Sequence, residues 1–428
     1  MRGIAISGLV ALAVALGGGA VPATAMAQSA AAVRPGLTAR PADVALVDSG
    51  LPAVSCVLAT DCLGIEGSAT QSGQSAIPAR VARWNGSSWK RLGVALPKGA
   101  TAADLDAVSC RGAKSCLVVG DYYTPPSFSG TSHVLALSYN GISLKPMPAV
   151  PLPKGATDGA LSGVSCVTTR YCVAIGVADG ATPAFGAVGS VIIIETWNGA
   201  RWTLRTSAES IGKTTILVPS VVSCATATRC VLAGDAFSFS PTTDTDKPYV
   251  ASWNGKQLTT MKLAAVGRAA DAVVATGVSC ATASNCAVTG ADLGRPSTSA
   301  TSSTAFTEIW NGKSWQLAKV TWPKGVASTF TTGVSCYGAH SCEAVGEDAA
   351  NAEMSPADAA AVSFDGTAGT VQAVPAPSKG HSNALAAVGC LPWGDCVAIG
   401  QTGKTTATTA ALMTGVWNGR TWKLYPGF

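Results

Sequence analysis

Residues 164–176 read Val-Ser-Cys-Val-Thr-Thr-Arg-Tyr-Cys-Val-Ala-Ile-Gly, and residues 197–202 read Trp-Asn-Gly-Ala-Arg-Trp. Variants of these two stretches alternate along the 428-residue chain, which therefore contains seven copies of one unit. The first cysteines of successive copies are separated by 54 to 58 residues. A period this constant indicates an internal repeat, in which each copy forms one supersecondary unit and packs against its neighbours.

All fourteen cysteines belong to the repeat, as seven pairs with five residues between the two partners. The pairs are Cys56/Cys62, Cys110/Cys116, Cys166/Cys172, Cys224/Cys230, Cys280/Cys286, Cys336/Cys342 and Cys390/Cys396. Across a short hairpin, such positions bring their Cβ atoms within reach of a disulfide. We therefore expect one structural disulfide per copy. The spacing differs from that of paired zinc ligands and from Cys-x-x-Cys redox motifs, so we expect no metal and no cofactor.

Each copy divides into four strand-sized segments, strands A to D. Strand A ends in Val-Ser-Cys, and strand B follows the cysteine loop as Cys-x-x-x-Gly. Strand C runs into an aromatic-Asn-Gly turn, and strand D leaves it. Asn-Gly between apolar segments predicts a hairpin with a type I′ turn. The aromatic residues of these turns are Trp84, Tyr139, Trp197, Trp253, Trp310, Phe364 and Trp417.

Four short strands in each of seven copies predict an all-β fold: a seven-bladed β-propeller with four antiparallel strands and one intra-blade disulfide per blade. The propeller covers residues 49–428. Its blades begin near residues 51, 105, 161, 219, 275, 331 and 385. A β-solenoid has shorter coils, and separate four-stranded domains cannot bury both faces of their sheets. The ring closes either by packing of blade 1 against blade 7 or by a strand from residues 42–49.

The N-terminus has the pattern of an export signal. A short charged region precedes the apolar stretch from Ile4 to Leu16, and Ala25-Met26-Ala27 is a small-x-small cleavage site. We assign residues 1–27 to a signal peptide and residues 28–48 to a linker. The chain is then secreted, either extracellular or in the cell envelope, where fourteen cysteines form disulfides readily.

Charged residues make up 12% of the chain, and the net charge of +5 is spread over its length. Without a basic run, we expect neither nucleic acid nor an anionic membrane surface as a partner. We expect no membrane insertion after signal cleavage, and a monomer. The expected partner is a protein or a cell-surface glycan.

Alternate turns of an up-and-down blade lie on opposite faces of the ring. The cysteine loops and the Asn-Gly turns therefore share one face, and the B–C segments and D–A links share the other. The second face varies between repeats, as binding loops on a rigid scaffold often do.

Four acidic residues at the ends of the B strands are the candidate ligand-binding residues. Asp121, Asp235 and Glu347 directly follow the glycine that ends strand B, and Glu66 occupies that glycine position in the first copy. If strand B lies near the channel, these carboxylates form a partial acidic ring around its mouth, suited to a cation or to sugar hydroxyls. The alternative is that acids are common where a strand becomes a polar loop.

The repeated unit resembles uncharacterised exported bacterial repeat proteins of the propeller class. The turn at residues 310–315, Trp-Asn-Gly-Lys-Ser-Trp, is also similar to the Asp-box of sialidase-type propellers, with asparagine in place of the aspartate. Asp-boxes join the third and fourth strands of a blade and are structural. The resemblance therefore implies the fold, and it implies no catalytic residue.

We expect the propeller to act as a binding scaffold through its variable B–C and D–A loops. One alternative is a glycan-active enzyme, a glycoside hydrolase or a sialidase-like protein, with a carboxylate site on the same face. A second is a structural envelope protein without a discrete ligand. The Trp-Asn-Gly tryptophans either pack between blades or stack on sugars. A protein partner would use aromatic loop residues: Tyr122, Tyr123, Phe128, Phe237 and Phe239.

Overall fold

The computed structural model describes twelve stretches of the chain: residues 53–66, 79–124, 131–180, 190–207, 215–238, 245–264, 272–293, 302–352, 354, 356–377, 381–404 and 411–428. The predicted signal peptide and linker lie outside them. Within these residues, 29 strands form seven sheets. The same stretches contain no helix, and so none that could cross a membrane. The seven-bladed β-propeller is confirmed.

Each sheet is one blade and consists of consecutive strands. Blade 1 contains β1 (Ala53–Leu58), β2 (Asp61–Glu66), β3 (Arg80–Trp84) and β4 (Trp89–Arg91). Blade 2 contains β5 (Ala102–Gly112), β6 (Ser115–Tyr123), β7 (Ser132–Tyr139) and β8 (Leu144–Pro146). Blade 3 contains β9 (Ala156–Thr168), β10 (Tyr171–Gly180), β11 (Ser190–Trp197) and β12 (Trp202–Ser207). Blade 4 contains β13 (Thr215–Thr226), β14 (Arg229–Ser238), β15 (Thr245–Trp253) and β16 (Leu258–Thr260).

The remaining blades follow the same order. Blade 5 contains β17 (Val273–Thr282), β18 (Asn285–Asp292), β19 (Thr304–Trp310) and β20 (Trp315–Leu317). Blade 6 contains β22 (Ser328–Cys336), β23 (Ser341–Ala349), β24 (Asp358–Asp365) and β25 (Ala368–Gln372), and the short β21 (Lys319–Val320) pairs with β25 in parallel. Blade 7 contains β26 (His381–Cys390), β27 (Cys396–Lys404), β28 (Ala411–Trp417) and β29 (Trp422–Pro426).

Strand A is the innermost strand of every blade. The A strands of neighbouring blades contact each other around the whole ring, from β1 against β5 to β26 against β1. Several A strands begin up to five residues before the predicted blade starts, as β9 does at Ala156. Between the blades lie seven clusters of buried side chains, which form the core of the ring.

The glycine that ends the Cys-x-x-x-Gly motif faces a β-bulge in strand A. At Gly176, for example, a Cβ would lie 1.9 Å from the carbonyl oxygen of Ala160, which no side chain can tolerate. The extra residue of that bulge is Ser162, and its hydroxyl donates to the carbonyl of Pro219 in the next blade. The same clash, at 1.9 to 2.1 Å, occurs at each motif glycine from blade 2 to blade 7: Gly120, Gly176, Gly234, Gly290, Gly346 and Gly400.

The serine of Val-Ser-Cys links each blade to the next. Its hydroxyl oxygen accepts the backbone N–H of the first cysteine in the following blade, at 2.8 to 2.9 Å. The six pairs are Ser55–Cys110, Ser109–Cys166, Ser165–Cys224, Ser223–Cys280, Ser279–Cys336 and Ser335–Cys390. In blade 7 the position is Gly389, so the bond toward Cys56 of blade 1 is missing.

All seven predicted disulfides are present, one in each blade. Each joins directly paired residues of strands A and B, whose Cα atoms are 3.9 to 4.0 Å apart. In blade order they are Cys56–Cys62, Cys110–Cys116, Cys166–Cys172, Cys224–Cys230, Cys280–Cys286, Cys336–Cys342 and Cys390–Cys396. The pairing predicted from the spacing is therefore confirmed for every copy.

The cysteine loops pack against the Asn-Gly turns of the same blade. Trp84 Nε1 donates to the carbonyl of Ala59, and a Cβ at Gly199 would lie 3.1 Å from Cβ of Arg170. The two sets of loops therefore share one end of the ring, as expected, and we call this end the cysteine-loop face.

The expected type I′ turn is wrong, because only the glycine of each Asn-Gly pair has a positive φ. The asparagine instead opens a four-residue loop, as in the stretch between Trp310 and Trp315. Its side-chain Oδ1 accepts the backbone N–H groups two and three residues on, which for Asn311 are those of Lys313 and Ser314, both at 2.9 Å. Six asparagines make this pair of bonds: Asn85, Asn140, Asn198, Asn254, Asn311 and Asn418.

The tryptophans around these turns mostly pack within the ring. Trp84 and Trp253 are almost fully buried, and Trp197 and Trp202 are buried with ring centroids 5.4 Å apart. These side chains belong to the clusters between blades. The packing interpretation of the Trp-Asn-Gly motif is therefore the one the structure supports.

Packing of blade 1 against blade 7 closes the ring. β1 contacts β26 and β27, and Trp84 of blade 1 stacks edge-on against Tyr425 with centroids 5.3 Å apart. Trp89 packs against Phe428, and its Nε1 donates to Thr414 Oγ1 at 2.7 Å. We call this interface the seam. Residues 42–49, the alternative source of closure, lie outside the described residues.

Restoring the missing bond at the seam is expected to stabilise the protein. A Cβ at Gly389 would lie 3.5 Å from the backbone nitrogen of Cys56, an ordinary contact distance, so serine fits there. Gly389→Ser should raise the free energy of unfolding by about 1–2 kcal/mol, from one hydrogen bond and from lower chain entropy in the unfolded state. Denaturant unfolding of the oxidised protein measures the change.

Gly389→Ala is the matched control, because it lowers the chain entropy in the same way but brings no hydroxyl. The serine variant should exceed the alanine variant by about 1 kcal/mol. Equal stability of the two variants would contradict this prediction. It would show that the introduced hydroxyl does not accept the backbone N–H of Cys56, although the equivalent bond is made at the other six interfaces.

Candidate functional site

The disulfide cysteines belong to the core of the ring and not to a reactive site. The second cysteine of each pair is almost fully buried, and several of them stand in the clusters between blades: Cys172, Cys230, Cys286 and Cys342 are at most 2% exposed. Every cysteine of the chain is paired, so none is a free thiol. The structural role predicted for these residues agrees with their placement.

The four predicted ligand-binding acids lie at the ends of B strands, and these strands do not line the channel. The inner wall is formed by the A strands, so the premise that placed an acidic ring around the channel mouth is wrong. Each of the four carboxylates belongs to a different blade. Their individual surroundings follow from the local pairing of strands A, B and C.

Glu66 ends β2 opposite Arg80, the first residue of β3. Its carboxylate is buried, and Oε2 forms an ion pair with Nη2 of Arg80. Burial raises the pKa of Glu66, and the charge of Arg80 opposes this rise. Glu66 is thus tied to the neighbouring strand of its own blade.

Asp121 is fully buried and lies beside two further acids of blade 2. Its Oδ2 accepts the hydroxyl of Ser132 at 2.6 Å, and it pairs across the sheet with Asp104 on strand A. The bulge residue Asp106 lies close to both. Burial and the charges of Asp121 and Asp104 hold the pKa of Asp106 well above its usual value. Asp106 Oδ2 has no hydrogen-bond partner among the described residues.

Asp235 lies at the interface between blades 4 and 5. Its Oδ1 accepts the backbone N–H of Ala275 at 2.9 Å. Burial raises the pKa of Asp235 to about 7. Asp246, near the start of β15, has a pKa of about 8 through burial and the charge of Asp235. The two carboxyls therefore lie close enough to interact, and burial favours the protonated form of each.

Glu347 is half-buried in β23, between Phe330 on strand A and Ala359 on strand C. The next residue, Asp348, pairs with Asp358, and burial together with the charge of Asp358 raises its pKa to about 6. Blade 6 therefore also carries an acidic pair at this end of its sheet.

The four predicted residues are engaged locally, and the structure does not bring them together into one constellation. In the described stretches, no three histidine, cysteine, aspartate or glutamate side chains are arranged to hold a metal ion. As ligand-binding residues, Glu66, Asp121, Asp235 and Glu347 stay a prediction. The neighbours that the sequence analysis missed are Asp104, Asp106, Asp246 and Asp358. They lie on paired strands, and aligning strands A and C with strand B would have revealed them.

The aromatic residues predicted for a protein-binding patch also separate. Tyr123 is buried, and its hydroxyl donates to Asp104 Oδ2, so it is not part of an exposed patch. Tyr122 is half-buried and stacks on His133 with centroids 5.0 Å apart, and Phe237 is half-buried. Phe128 and Phe239 lie outside the described residues.

No family model matches the chain, and no curated protein matches it. Similar solved structures include the GH74 xyloglucanase from Xanthomonas campestris, with 10% identity and a TM-score of 0.47 over 88% of this chain and 53% of that chain. The α-L-arabinanase of Penicillium chrysogenum has 10% identity and a TM-score of 0.46, with 76% and 95% covered.

The β-propeller domain of the Trilobed protease from Pyrococcus furiosus, described as having an open velcro topology, has 10% identity and a TM-score of 0.45, with 87% and 97% covered. At such identities and TM-scores, these likenesses bear on neither activity nor ligand. The chain is a seven-bladed β-propeller with a disulfide in every blade.

The buried carboxyl of Glu195 is expected to make the stability of the protein depend on pH. Glu195 in β11 is fully buried, and neither of its side-chain oxygens has a hydrogen-bond partner among the described residues. Burial raises its pKa from 4.5 to about 8. The unfolded chain releases this proton near pH 4.5, whereas the folded chain keeps it until about pH 8. Stability should therefore fall as the pH rises through this window.

Glu195→Gln should remove this dependence, because the amide has nearly the same shape and no charge. We expect the variant to be more stable than the wild type by at least about 1 kcal/mol at pH 8.5 and equally stable at pH 4.5. Thermal unfolding at both pH values measures this.

Glu308→Gln is the comparison, at the equivalent position of blade 5. Glu308 Oε2 accepts the backbone N–H of Ala264 at 2.7 Å, so this substitution should not give the same gain at pH 8.5. If Glu195→Gln brought no extra stability at pH 8.5, this would contradict the raised pKa of Glu195 in the folded protein.

Proposed function

We propose that the protein is a binding scaffold that recognises a protein or a cell-surface glycan through the face opposite the cysteine-loop face. The observation that carries this proposal is the unequal construction of the two ends of the ring. One end repeats the same cysteine loop in each blade and the same Asn-Gly loop in six of them. The other end joins the same strands by segments that differ in length and sequence.

The cysteine-loop face is uniform. Every cysteine loop has five residues between its cysteines, and the Asn-Gly loop between strands C and D has four residues in six of the blades. The cysteine loops are closed by disulfides, and the six four-residue loops are held by asparagine side chains. In blade 6 only residues 366 and 367 lie between strands C and D. Such uniformity indicates that these loops contribute to the construction of the ring.

The opposite face changes from blade to blade. Six residues lie between Ser238 and Thr245 in blade 4, whereas thirteen lie between Glu66 and Arg80 in blade 1. The strands that hold these segments end among buried or half-buried acids, which also differ between blades. A rigid frame with individual connecting segments is the usual construction of a recognition surface.

Replacing one connecting segment at a time tests the proposal. The mature, oxidised protein is first screened against glycans and cell-envelope polymers. Residues 67–79 are then replaced by a Gly/Ser segment of equal length, and the other blades are treated in the same way. For at least one blade, affinity for the selected ligand should fall by about tenfold or more, because a loop that supplies even one good contact contributes about 1.4 kcal/mol.

The matched control changes the other end of the same blade. Ser87→Ala leaves in place the backbone N–H groups of residues 87 and 88, which donate to Asn85 Oδ1, and should leave affinity unchanged. Unfolding temperatures of both proteins show whether the ring is intact. Equal affinity after every segment replacement would contradict the proposal. Cleavage of the bound polymer, seen as new reducing ends, would favour the alternative of a glycan-active enzyme.

A further inference from the structure

The cysteine-loop face carries a group of exposed cations in four consecutive blades. Three of them stand in the cysteine loops or at the start of strand B, and three stand in the Asn-Gly loops. They are Lys114 in blade 2, Arg170 and Arg201 in blade 3, Arg229 and Lys256 in blade 4, and Lys313 in blade 5. We call these six residues the cationic crescent.

The same loops contain no acidic residue. In blades 2 to 5, residues 111–115, 140–143, 167–171, 198–201, 225–229, 254–257, 281–285 and 311–314 include neither aspartate nor glutamate. Two ion pairs join described residues of blade 1, Arg80–Glu66 and Arg83–Asp61, and both lie outside these loops. The positive charges of the crescent are therefore not neutralised within their own loops.

Rigid loops hold these charges in place. The backbone N–H of Arg201 donates to Asn198 Oδ1 at 2.9 Å, and that of Lys313 donates to Asn311 Oδ1 at 2.9 Å. Glycine leaves room for the stem of the neighbouring cation, since a Cβ at Gly141 would lie 2.8 Å from Cγ of Lys114. Binding a polyanion here costs little ordering of the backbone, which favours affinity.

Charge is separated along the strands. Most acids of the described residues lie toward the other end of the sheets: Glu66, Asp104, Asp106, Asp121, Asp158, Asp179, Asp235, Asp246, Asp292, Glu347, Asp348 and Asp358. Lysines of the D–A links lie among them, at Lys98, Lys154 and Lys324. This distribution directs a long anionic chain to the cysteine-loop face of blades 2 to 5, whose loops carry charges of one sign.

We propose that the cationic crescent binds an acidic polysaccharide, that is, a linear sugar polymer with carboxylate or sulfate groups. Cations spread over four neighbouring blades suit a long polymer with regularly spaced charges better than one compact anion. Between the cations, the loops present hydroxyl and amide side chains that match sugar hydroxyls, such as Thr168, Thr228 and Gln257.

Nucleic acid fits the crescent less well. Single strands are held by aromatic side chains on which the bases stack. The aromatic residue of the crescent loops, Tyr171, is half-buried, and its hydroxyl donates to the carbonyl of Ala227 in the next blade. It therefore serves the packing of the two loops and offers no stacking surface.

The first test measures binding of the mature, oxidised protein to polygalacturonate and heparin, with neutral dextran and an oligothymidylate as comparisons. We expect both acidic polysaccharides to bind, with affinity that falls steeply as salt rises, and dextran not to bind. Binding of neither acidic polymer at low salt would overturn the proposal. Tighter binding of the oligothymidylate at equal salt would also overturn it, in favour of nucleic acid.

The second test compares two variants with the same change of net charge. The triple variant Lys114→Gln, Lys256→Gln and Lys313→Gln alters the crescent, and the triple variant Lys98→Gln, Lys154→Gln and Lys324→Gln alters exposed lysines of the D–A links. The first should bind polygalacturonate about tenfold more weakly at low salt, with a shallower salt dependence. The second should stay within about twofold of the wild type. Equal losses in both would show that only net charge matters.

A third measurement needs no variant. Lysine acetylation is carried out with and without polygalacturonate, and modified residues are identified by mass spectrometry. Lys114, Lys256 and Lys313 should be protected, and Lys98, Lys154 and Lys324 should not. The reverse pattern would place the polymer on the opposite face and overturn the proposal.

Discussion

The hydrogen bond from the first cysteine of one blade to the serine of the blade before it is the contact on which the ring depends. Each residue of the Val-Ser-Cys tripeptide has a separate structural role. The valine packs between blades, as Val164 and Val222 do, the serine accepts the N–H of the next blade, and the cysteine joins strand A to strand B. One tripeptide thus contributes to the core, the blade spacing and the hairpin, and six of the seven copies contain it.

The sequence predicted the number of blades, the strand order, every disulfide and the two faces, because these follow from period, spacing and turn chemistry within one copy. It did not predict contacts between copies. The role of Ser109, whose partner Cys166 stands 57 positions further on, depends on how blades are placed around the ring. The type I′ turn was wrong for a local reason, since the side chain of asparagine accepts two backbone N–H groups and, with the bond from its own backbone N–H to the carbonyl three residues on, holds a four-residue loop.

The positions of the acids and cations also depend on how the copies are arranged in space, which the sequence did not predict. Charges that are scattered along the chain gather on one face once seven copies are arranged in a circle, so the absence of a basic run said little about surface charge. The acids at the B-strand ends were found, but their neighbours on strands A and C were not. Buried Glu195 and Glu343 stand among apolar residues of their strands, where a carboxyl is kept neutral by burial. No sequence pattern indicates such a position.

The seam has a consequence for how the ring comes apart. Every other pair of neighbouring blades is joined by a stretch of chain and by a Ser–Cys hydrogen bond. Among the described residues, blades 1 and 7 have neither and meet through packed side chains such as Trp84 on Tyr425 and Trp89 on Phe428. Tension applied between Ala53 and Phe428 would therefore separate these two blades before any sheet loses a strand. The molecule would open at the seam into a curved row of intact blades.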